Sequence, residues 1–168
     1  MIKLIVLDVD GTLTDGKLYI DNLGNEMKAF NVKDGLAISQ SIKYGVNVAI
    51  ITGKTSKIVE KRCAELGIKE IRQGIKNKVL ELKEIIDKYS LTFDEVAYMG
   101  DDLLDLKVMK LCRLSGAPKD SVEEVLNIAD FISTKNGGDG AVREFIEMIL
   151  KSQGIWDKVL SNFESTAQ

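Results

Sequence analysis

Leu4-Ile5-Val6-Leu7-Asp8-Val9-Asp10-Gly11-Thr12-Leu13-Thr14-Asp15-Gly16 decides the fold. A β-rich run over residues 2–7, apolar at every position but Lys3, stops abruptly in Asp-Val-Asp-Gly. Continuous rather than alternating hydrophobicity is what a strand covered on both faces requires. Two carboxylates therefore stand at the C-terminal end of a buried strand. The same form recurs twice downstream. Residues 46–51 run into Thr52-Gly53-Lys54, and residues 96–99 run into Gly100-Asp101-Asp102.

Between and after these strands the apolar residues take helical spacing. Asp34 is expected to cap a helix carrying Leu36, Ala37, Ile38 and Ile42, and Thr55 or Ser56 a second with Ile58, Val59, Cys63 and Leu66. Residues 77–89 place Val79, Leu80, Leu82, Ile85, Ile86 and Tyr89 at helical spacing, as a helix covering a sheet would. Residues 103–109 read as helix, 111–114 as strand, and Ser121-x-x-Glu124 as a capping box, with Pro118 able to start that helix earlier. Residues 141–150 are again amphipathic. Short strands are expected over 68–71 and at Phe131-Ile132, and a hairpin over about 17–30 around Asp21-Asn22-Leu23-Gly24-Asn25. Strand and helix in regular alternation predict an α/β fold: a doubly wound, mainly parallel sheet with helices on both faces and a small β-hairpin insertion. The hairpin and one helix use nearly all of residues 11–51, which leaves no room for a cap domain. In the tail, 151–168, Ile155, Trp156, Val159, Leu160 and Phe163 form an apolar stripe that should dock on something.

A chain of 168 residues, 45% hydrophobic and 29% charged, suits one domain spanning residues 1–168. The net charge of −3, without a Lys/Arg cluster, predicts no nucleic-acid partner. The leading apolar run is too short for a signal or membrane segment, so a cytoplasmic protein is expected. Cys63 and Cys112 lack CxxC spacing and read as reduced thiols. Histidine is absent, so acid, base and metal chemistry falls to carboxylates and lysines.

In open parallel sheets ligands bind outside the carboxyl ends of the strands. Here those ends carry Asp8 and Asp10, Thr52, and Asp101 with Asp102, and Lys78 begins a nearby helix. Carboxylates from two strands suit a hard, oxygen-seeking cation, with Mg²⁺ the natural candidate. Without a cation, a proton or a basic partner, their mutual repulsion would be unrelieved. Singly, each element has a bland explanation: Asp-x-Asp-Gly occurs in turns, Gly-Asp-Asp at helix starts, and Lys78 on a solvated face. Thr12 breaks the calcium-loop pattern, and Asn136-Gly137-Gly138-Asp139-Gly140 lacks dinucleotide-loop spacing.

Taken in order, residues 8–16, Ile50-Ile51-Thr52-Gly53, Lys78, and Gly100-Asp101-Asp102 with Asp105 resemble the four motifs of the haloacid dehalogenase superfamily. Lys28-Ala29-Phe30-Asn31-Val32-Lys33-Asp34-Gly35, Gln73-Gly74 and residues 137–144 further resemble its small capless branch, which contains the 3-deoxy-D-manno-octulosonate (KDO) 8-phosphate phosphatases. The resemblance covers residues 2 to about 150. It implies Asp8 as nucleophile and Asp10 as acid and then base. Mg²⁺ would be held by the Asp8 carboxylate, the Asp10 backbone carbonyl and Asp101, and Thr52 and Lys78 would hold the phosphoryl oxygens. Asp102 would orient Lys78 or a metal-bound water, with Asp105 beside it.

The phosphorylated sugar-acid substrate would meet Asn31, Val32, Lys33, Asp34, Gly35, Gly53, Lys54 and Arg62. The octulosonate enzymes usually carry Arg where Lys54 stands, and a nine-carbon relative carries Glu; Lys keeps the charge without the bidentate fork. Residues 111–118 also depart from the usual small-residue pattern. By the same resemblance a homotetramer covers the open site, with hairpins packed together and a neighbour's tail over the active site. The alternatives are a nonulosonate 9-phosphate phosphatase, a receiver-like phosphate acceptor, and a silent regulatory module.

Overall fold

The computed structural model describes residues 1–165. Its central strand, β1 (Leu4–Leu7), is wholly buried because its side chains feed two separate cores. Ile5 and Leu7 enter one with Ile38, Ile50 and Phe145, whereas Leu4 and Val6 enter the other with Ile51, Leu82, Tyr98 and Val108. The remaining elements are β2 (Tyr19–Ile20), β3 (Glu26–Met27), α1 (Val32–Lys43), β4 (Asn47–Ile51), α2 (Lys57–Leu66), β5 (Glu70–Arg72) and α3 (Lys78–Lys88). They are followed by β6 (Val96–Met99), α4 (Leu106–Leu111), β7 (Leu114–Ala117), α5 (Glu123–Ile128), β8 (Phe131–Ile132), α6 (Ala141–Ser152) and α7 (Trp156–Glu164).

The six-stranded sheet has the order β5-β4-β1-β6-β7-β8 with every pairing parallel. Residues of α1, α2, α6 and α7 fill one core, and those of α3, α4 and α5 the other. The chain builds outward from β1 in one direction and then the other, so the winding reverses at β1. There the register sets Leu7 opposite both Ile50 and Met99, bringing Asp8, Thr52 and Asp101 to one end of the sheet. The antiparallel β2-β3 hairpin is a separate two-stranded ribbon, and with α1 it is all that stands between β1 and β4, as expected for a capless arrangement.

Several local expectations are corrected. Asn31, not Asp34, caps α1, its Oδ1 accepting the Lys33 and Asp34 N–H groups at 2.8 and 3.4 Å. The strand expected at 111–114 lies at Leu114–Ala117, because Leu111 and Cys112 end and flank α4. The start of the expected 103–109 helix is a 3₁₀ turn, Leu103–Asp105. Ser121 makes no capping box: its hydroxyl donates to the Pro118 carbonyl at 2.7 Å, and α5 begins later, at Glu123. In the tail, Trp156 and Val159 are buried in their own subunit's core. Arg143 and Lys151 of α6 lie 5.5 and 5.9 Å from the Trp156 ring. Residues 166–168 of the expected tail lie outside the described residues. No helix among the described residues is long and apolar enough to cross a membrane.

Asp34 instead serves a distant helix. Its Oδ1 accepts the Arg143 N–H at 2.8 Å in the first turn of α6, where the cap residue Gly140 has no side chain to offer, while its buried Oδ2 has no hydrogen-bond partner. Burial lifts its pKa to about 6 from 3.8. The folded carboxyl then holds its proton more tightly than the unfolded one, so this group costs stability as pH rises through that interval, by about 3 kcal/mol when complete. Asp34→Asn keeps an acceptor and removes the charge. It is expected to raise unfolding free energy by about 1–2 kcal/mol at pH 7.5 and to leave it unchanged near pH 4. Urea titrations at the two pH values check this, and an equal gain at both would reject the charge as the cause.

Candidate active site

The loop after β1 turns sharply over the end of the sheet. Thr12, Leu13 and Thr14 all donate their N–H groups to the Val9 carbonyl, and the Thr14 hydroxyl accepts from the Gly11 and Gly16 N–H groups. Gly11 has φ +87°, and a Cβ there would fall 1.9 Å from Asp101 Oδ2. Only glycine lets the β1 loop and the β6 loop approach so closely. The Gly137-Gly138 turn buttresses the loop from outside. A Cβ at Gly137 would meet the Gly11 carbonyl oxygen at 1.9 Å, and the Gly138 N–H donates to Thr12 O at 3.2 Å. The glycine-rich stretch is thus a backbone brace for the loop.

Inside this frame the carboxylate oxygens of Asp8, Asp101 and Asp105 lie within 4.8 Å of one another. Lys78, whose side chain is 4% exposed, donates to Asp8 Oδ1 at 3.0 Å and to Asp105 Oδ1 at 2.8 Å. Asp105 is saturated: Oδ1 also accepts the Tyr98 hydroxyl at 2.6 Å, and Oδ2 accepts the Asp101 and Asp102 N–H groups at 3.0 and 3.2 Å. Of the two expected alternatives for Asp102, contact with Lys78 is made by Asp105 instead. Asp102 caps the 3₁₀ turn through the Leu103 N–H at 2.7 Å, and that turn swings Asp105 back beneath Lys78.

One ammonium does not neutralise three carboxylates. Burial and the neighbouring Asp105 raise the Asp8 pKa against the opposing pull of Lys78. Burial, contact with Asp8 and the charges of Asp105 and Asp102 lift Asp101 to about 8. Lys78 is held charged, since Asp8 and Asp105 outweigh its desolvation. Carboxylate oxygens of Asp8 and Asp101 stand within 4.8 Å of each other, and two ionised carboxylates that close repel unless a proton or a cation offsets their charge. With Asp105 committed to four donors, Asp8 and Asp101 are the pair left to hold a hard cation, and an all-oxygen donor set fits a magnesium-type ion.

Asp10 stands apart from that cluster, its Oδ1 accepting the Lys28 ammonium at 2.9 Å. Thr52 is buried at the end of β4, and Gly53 and Lys54 follow it, exposed. The Thr12 hydroxyl donates to Asp101 Oδ1 at 3.4 Å. Arg62 lines one small cavity with Phe30, Asn31, Asp34 and Gly35, so α2 reaches the start of α1. Asn31 and Asp34 are spent on helix N-termini, the Lys33 carbonyl accepts from the Arg143 guanidinium at 3.3 Å, and Val32 is 77% exposed. Two residues in contact with the site had no role in the sequence reading. Lys28 was hidden by the hairpin that separates it from Asp10, and Tyr98 by a strand where an aromatic needs no explanation beyond packing.

A family model described as haloacid dehalogenase-like hydrolase matches residues 66–146. The 3-deoxy-D-manno-octulosonate 8-phosphate phosphatase of Escherichia coli strain K12 is 44% identical over 157 residues, spanning 94% of this chain and 84% of that protein. The phosphatase of the same name from Moraxella catarrhalis, solved in complex with a magnesium ion, a phosphate ion and a KDO molecule, superposes with a TM-score of 0.94 at 40% identity, covering 97% of this chain and 94% of that one. The cobalt-bound phosphatase from Haemophilus influenzae gives a TM-score of 0.87 at 38% identity over 91% and 90% of the two chains. Identity of this depth over nearly the whole length, on one shared fold, shows that the chain belongs to the haloacid dehalogenase-like hydrolases, in the family of the 3-deoxy-D-manno-octulosonate 8-phosphate phosphatases.

Proposed function

We propose that this chain is a magnesium-dependent phosphomonoesterase that hydrolyses KDO 8-phosphate to KDO and phosphate through an aspartyl-phosphate on Asp8. The observation that carries the reading is the Lys78 ammonium 3.0 Å from Asp8, with an Asp101 carboxylate oxygen within 4.8 Å of the same group. This is a nucleophile flanked by a fixed cation and by a donor set that calls for another. Asp8 attacks phosphorus, the bond to the sugar oxygen breaks, and Asp10 gives that oxygen its proton. Asp10 then takes a proton from water as water attacks the acyl phosphate, which frees phosphate and restores Asp8. Asp8, Asp101 and the Asp10 backbone carbonyl would hold the magnesium ion, which when bound would supply charge that offsets the phosphoryl oxygens. Lys78 and Thr52 hold those oxygens in place for in-line transfer.

The sugar acid would lie toward Asn31, Val32, Lys33, Asp34, Gly35, Gly53, Lys54 and Arg62, where Lys54 and Arg62 offer positive charge to a carboxylate. The resemblance supports a single domain over residues 1–168 acting in the cytoplasm. It also supports a homotetramer whose contacts begin at the hairpin, where Leu18, Ile20, Leu23 and Met27 are exposed. The tail's contribution to a neighbour would fall to Leu160 and Phe163, its exposed apolar residues.

Phosphate release from KDO 8-phosphate, a nonulosonate 9-phosphate and simple sugar phosphates tests the reading, with Mg²⁺ and with EDTA. Metal-dependent release with kcat/KM for KDO 8-phosphate at least about tenfold above the others is expected. Preference for the nine-carbon ester would keep the chemistry and discard the substrate. A solution mass of one chain would defeat the tetramer.

A further inference from the structure

An ammonium has three N–H bonds, and each one on Lys78 has an acceptor: Asp105 Oδ1 at 2.8 Å, Asp8 Oδ1 at 3.0 Å and the Tyr98 hydroxyl oxygen at 3.2 Å. Two of these acceptors are immobile. Asp105 is tied to the backbone of Asp101 and Asp102, and Tyr98 sits in β6 at 0% exposure with its hydroxyl donating to Asp105 at 2.6 Å. The phenol oxygen and the Asp105 carboxylate therefore form a two-point seat behind the ammonium, with the third N–H directed forward at Asp8. Packing alone does not ask for the hydroxyl. Tyr98 belongs to the same buried apolar core as Leu82, Ile85 and Val108, where a phenylalanine ring would fill the same space. Asp105 without the phenol would hold the nitrogen at one point and leave it free to swing about that contact.

We propose that Tyr98 is a positioning residue for phosphoryl transfer, its hydroxyl fixing the direction of the Lys78 ammonium so that one N–H is kept for the reacting centre at Asp8. This rests on Asp8 and Lys78 acting as described above. A preset donor stabilises charge as it develops and leaves ground-state binding nearly unchanged. Loss of the hydroxyl should consequently appear in kcat, and in affinity for an analogue of the pentacoordinate transition state.

The test is Tyr98→Phe in the full chain at saturating Mg²⁺, read by kcat, KM, inhibition by orthovanadate and by inorganic phosphate, and the thermal midpoint. The expected result is a fall in kcat of about tenfold with orthovanadate inhibition weakened to match, while KM and phosphate inhibition change by less than about twofold. The midpoint should stay within a few degrees. Parental kcat in the variant would overturn the proposal. So would equal weakening of phosphate and orthovanadate, which would mean a generally disturbed site. A variant that no longer folds would overturn it too, because the hydroxyl would then be serving the core. A parent chain that releases no phosphate from any ester defeats the phosphatase reading itself, an outcome distinct from an active parent matched by its variant.

Discussion

Asp8→Asn is expected to lower phosphate release by at least about a thousandfold while the chain, in EDTA, unfolds at a higher temperature than the parent. The two effects share one cause. A carboxylate that can attack phosphorus is held against Asp101 and near Asp105, so its ionised form is disfavoured by burial and by like charge. An amide cannot form the acyl phosphate. It can still offer its oxygen to Lys78 and its nitrogen to Asp101, which turns a repulsive contact into a hydrogen bond. The sign follows from the raised pKa values: a carboxyl that holds its proton more tightly when folded costs stability above its unfolded pKa. The gain should therefore be present at pH 8 and shrink toward pH 4. Steady-state turnover and thermal melts at the two pH values measure both halves. Retention of more than about a tenth of parental kcat would remove Asp8 as nucleophile.

Legibility in the sequence followed how far each residue's role is set by its chain neighbours. β1 was readable because both of its faces are buried, so every position from Leu4 to Leu7 had to be apolar. β7 was not, since Leu114-Ser115-Gly116-Ala117 carries almost no hydrophobic signal. Ser115 is polar because its N–H and hydroxyl bond Asp130 at 2.8 and 3.0 Å, and Gly116 is small because the Phe145 ring occupies the space of a side chain. The expected strand consequently fell on the more apolar end of α4.

The placement of Asp8, Thr52 and Asp101 at one end of the sheet followed from strand ends and parallel order alone. The division of labour between Asp102 and Asp105 did not. Two acids three residues apart after a strand look equivalent, and only the 3₁₀ turn between them decides which one faces Lys78. Asp34 was misread for a related reason: Asn31 and Asp34 are both good caps three residues apart, and a helix more than a hundred residues away claims the second. Lys28 is likewise brought to Asp10 by the hairpin, which local pattern cannot supply.

Lys78→Met is the substitution for which the largest loss of stability is expected, along with near-complete loss of turnover. Methionine keeps the unbranched apolar length of the stem but leaves Asp8 and Asp105 buried without their cation. Breaking one side of a buried charge pair costs about 3–5 kcal/mol, and here two carboxylates lose the same partner. The loss must depend on pH. Without Lys78 the Asp8 carboxyl, already raised by burial, loses the pull that lowers it, so the native chain binds more protons than the unfolded chain in the window between. Stability is then recovered on acidification from pH 8 toward pH 5. Mg²⁺ should return part of it at pH 8, because an ion bound at the proposed site would place positive charge against Asp8 and Asp101, and a ligand that binds only the folded state stabilises by mass action. Urea unfolding at pH 8 and pH 5, each with Mg²⁺ and with EDTA, separates these contributions. A deficit equal at both pH values and insensitive to the metal would mean that Lys78 is held for its packing, and the electrostatic account of the site would fall with it.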